Sequence, residues 1–168
     1  MSSHITRIRQ ATVEDVDIII QQRCAMFADM GYGDEKSRNA MAIVARPFIE
    51  AALEDGSYQG WLAMDGDRVV AGGGLAIVGF QPTPLDLNPR RVWVLNMYTE
   101  PAYRRRGMAR VILESMIRWC SEHGYKSMYL HTSDEGRPLY ESFGFRPTNE
   151  MRLVLEHRIS DADMPPIL

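Results

Sequence analysis

From His4 to Arg9, apolar and polar residues alternate, the period of a half-buried strand. Thr12 follows as a candidate N-cap, and Asp15 three residues on completes a capping-box-like pair. Val16, Ile19, Ile20, Phe27 and Met30 then recur at helical spacing, and Gly31 ends the run. A second helical pattern holds Met41, Val44, Ala45, Phe48, Ile49, Ala52 and Leu53 and stops at Gly56. Pro47 inside it predicts a kink or two abutting helices. From Tyr58 the signals are those of strands. Trp61 to Met64, the pair Asp65-Gly66, and Arg68 to Val78 predict a β-hairpin with a tight turn. Gln81 to Arg90 contains Pro82, Pro84 and Pro89 and predicts a loop. Val92 to Thr99 is a continuous, largely apolar strand. Gly107 to Gly124 carries the strongest helical pattern, with Ala109, Ile112, Leu113, Met116, Ile117 and Cys120 on one face. Lys126 to Thr132 predicts a strand, Pro138 to Phe143 a short helix closed by Gly144, and Met151 to Leu155 a last strand.

The predicted order is β-α-α-β-β-β-α-β-α-β. A helix between two strands favours a parallel pair and a hairpin is antiparallel, so the fold class is α/β with an α+β-like mixed sheet and helices on its faces. The 168 residues suit one domain, taken as residues 1–156, with a loosely packed acidic tail over 157–168. The net charge of −3 gives no general attraction to nucleic acid or an acidic membrane. Two isolated cysteines, Cys24 and Cys120, make neither a disulfide framework nor a zinc site. The polar N-terminus lacks an apolar signal core, and no apolar run approaches the roughly 20 residues of a membrane span. A cytoplasmic location is the expectation.

One segment carries chemistry. Thr99-Glu100-Pro101-Ala102-Tyr103-Arg104-Arg105-Arg106-Gly107-Met108-Ala109 joins the apolar strand to the strongest helix. A helix N-terminus offers unpaired N–H groups and partial positive charge, and a loop wrapped over it can aim several N–H groups at one phosphate. Gly107 and small Ala109 would allow close approach of a ligand, and the arginines add charge suited to a diphosphate. Two other readings stand beside this one: an ordinary strand–helix turn with a solvated basic cluster, and an RNA contact through the three arginines. The second lacks an interleaved aromatic platform. A dinucleotide site of the G-x-G-x-x-G kind does not follow any strand here.

Arg104-Arg105-Arg106-Gly107-Met108-Ala109 resembles the (Gln/Arg)-x-x-Gly-x-(Gly/Ala) signature of the GNAT superfamily of N-acetyltransferases. Leu95-Asn96-Met97-Tyr98-Thr99-x-Pro101 resembles that family's fourth strand, and Leu139-Tyr140-Glu141-Ser142-Phe143-Gly144-Phe145 its later Leu-Tyr-x-x-x-Gly-Phe motif. The resemblance covers nearly the whole chain up to about Leu155. It implies the GNAT acyl-CoA N-acyltransferase fold, a mostly antiparallel sheet with one splayed parallel strand pair. It implies acetyl-CoA as acyl donor, with no metal. Main-chain contacts to the pantetheine arm are expected from Met97, Tyr98 and Thr99, and backbone contacts to the pyrophosphate from Arg104, Arg105, Arg106, Gly107, Met108 and Ala109. Tyr140 is implied as the general acid on the leaving thiolate, against the alternative that it only packs under the coenzyme arm.

Some members of this family carry a glutamate base early in the fourth strand, where this sequence has Trp93, Val94 and Leu95. Asn96 could orient a water, Glu100 lies at the strand end, and His131 has a suitable side chain or is a hydrogen-bonded structural residue. For the acceptor, Phe27, Met30 and Tyr32, with Asp34 and Glu35 nearby, could hold a cationic amine, or could simply complete a helix face and a solvated loop. Gly72-Gly73-Gly74 in a strand interior marks a bulge or a close approach. The expected partner is a small-molecule or peptidyl amine, with no nucleic acid and no membrane, and the family resemblance suggests a homodimer. A non-catalytic acyl-CoA-binding module of the same fold is the alternative.

Overall fold

A computed structural model describes residues 7–153 and 155 of the chain. Two compact units divide it after Tyr129. The first holds a five-stranded sheet in the order β1-β2-β3-β4-β5. The strands are β1 (Arg7–Gln10), β2 (Tyr58–Asp65), β3 (Arg68–Gly79), β4 (Arg90–Thr99) and β5 (Met128–Tyr129). The first three pairings are antiparallel, and β4 pairs with β5 in parallel at Val92 and Trp93 only. Three helices belong to this unit: α1 (Val16–Asp29), α2 (Glu35–Asp55) and α3 (Met108–Glu122). The second unit contains α4 (Arg137–Ser142).

Side chains on alternate strand positions point to opposite faces, which sorts the helices. A Cβ at Gly72 would meet Gln22 of α1, and one at Gly74 would meet the Tyr58 phenol. Between them, a Cβ at Gly73 would meet Met116 and Ile112 of α3. So α1 covers one face and α3 the other. Tyr58 joins Val16, Ile19, Ile20, Ile49 and Ala52 in the core beneath α1 and α2. Trp61, opposite Gly73 in the ladder, meets Trp119 of α3 edge-on at 6.1 Å. The expected stripe of α3 is buried at Ile112, Leu113, Met116 and Cys120. Burial pushes the Cys120 thiol up to about 11, so it stays protonated.

Some expectations are corrected. Of the two outcomes expected at Pro47, a kink or two abutting helices, the second is not found: α2 runs through Pro47 as one element. The missing hydrogen bond and ring clash cost about 3 kcal/mol, which burial of Ile49 and Ala52 against α1 and β2 offsets. Val44 and Phe48 fit the helical period but are exposed, because only one side of α2 is covered. The strand expected over 126–132 is reduced to Met128–Tyr129, since its ladder with β4 stops at Trp93. Residues 151–153 and 155 form no strand: alternation makes a strand only where a neighbour takes its backbone bonds. The first three residues of the expected opening strand, Val154 and the tail over 156–168 lie outside the described residues.

The glycines of β3 are required by what lies against them. Gly74→Ala should force the buried Tyr58 ring to move and cost about 1–3 kcal/mol, the usual range for overpacking. In a Tyr58→Leu background the added cost should shrink, and thermal unfolding of the four proteins measures both. An equal cost in both backgrounds would disprove the Gly74–Tyr58 contact as its cause.

Candidate active site

The ladder between β3 and β4 is interrupted where the resemblance leads one to expect the coenzyme arm. Gly72 pairs with Tyr98 and Gly74 with Leu95, so Asn96 and Met97 together face the single residue Gly73. This is a β-bulge, which leaves one residue outside the ladder and bends the strand. Asn96 takes φ 57, a left-handed conformation that asparagine tolerates better than most side chains. The bulge turns consecutive side chains apart. Met97 points to Gly73 on the α3 face. Asn96 is buried on the α1 face, where its Nδ2 donates to the Tyr58 hydroxyl at 3.0 Å. Its Oδ1 accepts from Arg23 Nη1 at 2.5 Å. Both ends of this amide therefore have protein partners, and Asn96 is placed to hold Arg23 and Tyr58.

Beyond Thr99, a short 3-10 turn (Pro101–Tyr103) leads into the arginine loop. Tyr103 donates to Asp65 Oδ2 at 2.6 Å, and Glu100 pairs with Arg68 at 2.6 Å, which ties the loop to the β2–β3 hairpin. Arg105 and Gly107 have φ 60 and 83, so the chain reverses its hand twice within three residues before α3. Such alternation turns successive N–H groups toward one side, next to the unpaired first-turn donors of α3. No atom lies within 4 Å of a Cβ built on Gly107. The glycine is needed first for its backbone conformation, and the space beside it is open. Of the three arginines, Arg104 is engaged with the protein. Its Nε donates to the Thr99 carbonyl at 3.0 Å, and its Nη2 pairs with Asp29 at the end of α1. Arg106 lies over the Tyr103 ring at 5.2 Å, and Arg105 is exposed. Met108 is buried, and Ala109 half-buried.

The α1 residues read as acceptor contacts are distributed differently. Phe27 is buried, and its ring already carries a cation: the Arg23 guanidinium, 4.8 Å from the centroid. Tyr32 is half-buried with its ring 5.7 Å from that of Phe27, and Met30 is half-buried at the end of α1. Asp34 caps α2, accepting from the Ser37 N–H at 2.8 Å. Burial lowers the Arg23 pKa from its ordinary value. Next to it, Gln22 is buried and its Nε2 has no hydrogen-bond partner.

In the second unit, Tyr140 is buried on α4 with its ring edge-on to Phe145 at 5.8 Å. Burial pushes its phenol up to about 12, which keeps it neutral. A Cβ at Gly136 would crowd the Thr132 hydroxyl at 2.8 Å, while the Tyr140 ring, 3.5 Å away, would be in ordinary contact. His131 Nε2 lies 3.0 Å from Glu150 Oε1.

The family model described as the acetyltransferase (GNAT) family matches residues 25–145, which include the bulge, the arginine loop, α3 and α4. The chain belongs to this family. A GCN5-related N-acetyltransferase from Ralstonia eutropha JMP134 superposes with a TM-score of 0.83 at 31% identity, over 89% of this chain and 97% of its own. A predicted acetyltransferase from Clostridium acetobutylicum, whose structure is with acetyl-CoA, gives a TM-score of 0.82 at 25% identity, over 91% and 99%. The Bacillus subtilis (strain 168) protein named uncharacterized N-acetyltransferase YsnE is 30% identical over 51% of this chain and 54% of its own. Human N-acetyltransferase 8 is 26% identical over 59% and 46%. The chain spans about half the length of these two curated relatives.

Within this GNAT domain, sequence reasoning missed Arg23 and Tyr58. An arginine one helical turn before Phe27, at i, i+4, was the available signal. The pairing with Asn96 spans 73 residues of sequence and had none.

The positive φ of Gly107 gives this GNAT loop a stability test. Gly107→Ala should cost about 1–2 kcal/mol through the left-handed backbone alone, and Gly107→Asn less, in denaturant unfolding. An alanine variant as stable as the parent would refute that conformation.

Proposed function

We propose that this chain is an acetyl-CoA-dependent N-acetyltransferase that moves the acetyl group to a primary amine of a small molecule or peptide. The observation that carries the reading is the continuous β4 bulge, double-reversed loop and α3 N-terminus. It combines exposed strand backbone with converging N–H donors, which suits an amide-containing arm ending in a diphosphate. The acetyl-CoA held by the Clostridium relative supports the choice of donor. In this reading the main chain at Met97, Tyr98 and Thr99 takes the pantetheine arm, and N–H groups from Arg104 to Ala109 take the diphosphate. Arg105 and Arg106 add charge without a carboxylate partner within 4.0 Å among the described residues.

The chemistry is direct attack. The amine nitrogen forms a bond to the thioester carbon while backbone N–H donors of β4 stabilise the developing oxyanion. The C–S bond breaks, its electron pair leaves on sulfur, and the proposed donor of a proton to that thiolate is Tyr140. The neutral phenol supports this role, since it holds its proton at physiological pH. The proton lost by the nitrogen passes to water, with His131 the proposed relay. Glu100 is held by Arg68 and is assigned no part.

Calorimetry of the wild type with acetyl-CoA should give micromolar binding that Gly107→Val loses. No binding by well-folded wild type would withdraw the enzyme reading. Tyr140→Phe should bind acetyl-CoA normally and turn over at least about tenfold more slowly, within the range for an acid–base group. A raised phenol pKa favours the protonated acid, so any fall in rate owed to Tyr140 should begin only above about pH 10, the ordinary tyrosine value. An alkaline limb centred below that and abolished by Tyr140→Phe would contradict the assignment.

A further inference from the structure

Arg23 is a half-buried cation with no carboxylate partner among the described residues. Where other arginines of the first unit are anchored by a carboxylate, the partner is plain: Asp15 for Arg9, Asp17 for Arg46, Glu100 for Arg68, Asp86 for Arg91 and Asp29 for Arg104. Among the described residues no carboxylate comes within 4.0 Å of Arg23. Its neighbours are a neutral amide and an aromatic face. Asn96 Oδ1 takes one guanidinium hydrogen at 2.5 Å, and the Phe27 ring lies 4.8 Å below. These contacts orient the guanidinium and leave its charge uncancelled.

A guanidinium carries five N–H donors in a planar fork, stays charged at any physiological pH, and matches a carboxylate with two parallel bonds. Asn96 occupies one end of that fork. The side chain that stands beside it on α1, Gln22, adds a buried Nε2 donor with no acceptor. Arg23 thus turns donors toward the β4 bulge, and the residue before it keeps a buried donor unmet while its Oε1 lies against Gly72 of β3. Leaving a buried charge and a buried donor unanswered is costly unless a ligand answers them. The place matters as much as the charge: Arg23 is bonded to the bulge residue itself, one position from Met97. That is where the acetyl-transfer reading puts the end of the coenzyme arm.

We propose that the amine acceptor also carries a carboxylate, as an amino acid does, and that Arg23 binds that carboxylate while the amine faces the thioester. The proposal rests on the acetyl-transfer reading for its location. A single guanidinium with neutral neighbours fits one negative charge. A phosphate dianion would call for a second cation, and none is placed beside Arg23 among the contacts above. Asn96 is the positioning residue: its amide fixes the fork, and Tyr58 fixes the amide.

The test pairs amino acids with the amines that remain when the carboxylate is removed: leucine with isopentylamine, phenylalanine with phenethylamine, methionine with its decarboxylated amine. Initial rates are read by thiol release from acetyl-CoA. The wild type should prefer the amino acid of at least one pair by about tenfold or more in kcat/KM, the scale of a charge-assisted contact. Arg23→Met should erase that preference, chiefly through KM, and Arg23→Lys should restore part of it. Thermal unfolding of both variants reports whether they fold. Equal use of both members of every pair by the wild type overturns the proposal. So does a preference for aminophosphonates, or an Arg23→Met variant that slows both members alike with their ratio unchanged. Calorimetry of the amino acids against wild type and Arg23→Met, with coenzyme A present, reads recognition without turnover. Amino-acid binding lost in the variant but with no thiol release keeps the carboxylate site and removes the transferase reading. No binding and no release removes both.

Discussion

At Gly73 one residue of β3 faces two of β4, and the rest of the site is arranged around that mismatch. An extra residue cannot join the ladder, so β4 must bend, and its consecutive side chains must leave on opposite faces. Met97 fills the α3 side, and Asn96 enters the α1 side in a left-handed conformation. The opposing strand accommodates this only because Gly72, Gly73 and Gly74 bring no side chains of their own. Gln22, the Met97 sulfur and the Tyr58 phenol occupy the space three Cβ atoms would need. The glycines of β3 and the bulge of β4 are one device. It places Asn96, and through Asn96 it places Arg23 and Tyr58.

The charges divide into those paired with a carboxylate and those without one among the described residues. Arg104, first of the signature arginines, is turned toward Asp29 and the Thr99 carbonyl, so it closes the loop onto the end of α1. Arg68 holds Glu100, and Tyr103 holds Asp65. These contacts shape the loop that precedes α3. Among the described residues, Arg23 is held by neutral groups, the Asn96 amide and the Phe27 ring. A family signature read as a charge pattern would rank these arginines the other way round. The geometry ranks them by partner, and a half-buried cation with an amide and a ring for company is the one with charge to offer.

Helical and strand periods depend on local backbone geometry, and they were legible along most of the chain. The stripe of α3 from Ile112 to Cys120, the β2–β3 hairpin and the glycine that starts α3 all follow from neighbouring residues. The arginine–glycine signature and the Leu-Tyr motif indicated the GNAT family for the same reason: each is a short run whose spacing is its chemistry. What the sequence could not settle is whatever needs a distant partner. Val44 and Phe48 obey the period of a buried face yet are exposed, because nothing local says which side of α2 will be covered. Residues 126–132 and 151–155 have strand patterns, but a strand exists only where another backbone accepts its hydrogen bonds. Asn96 looked like a residue free to hold a water, and Phe27 like a ring awaiting a cation. The tertiary structure gave the first two protein partners and filled the second with Arg23. Local order is written in residues a few positions apart. The assignment of charge and hydrogen bonds was decided by contacts across tens of residues, where sequence spacing carries no information about distance.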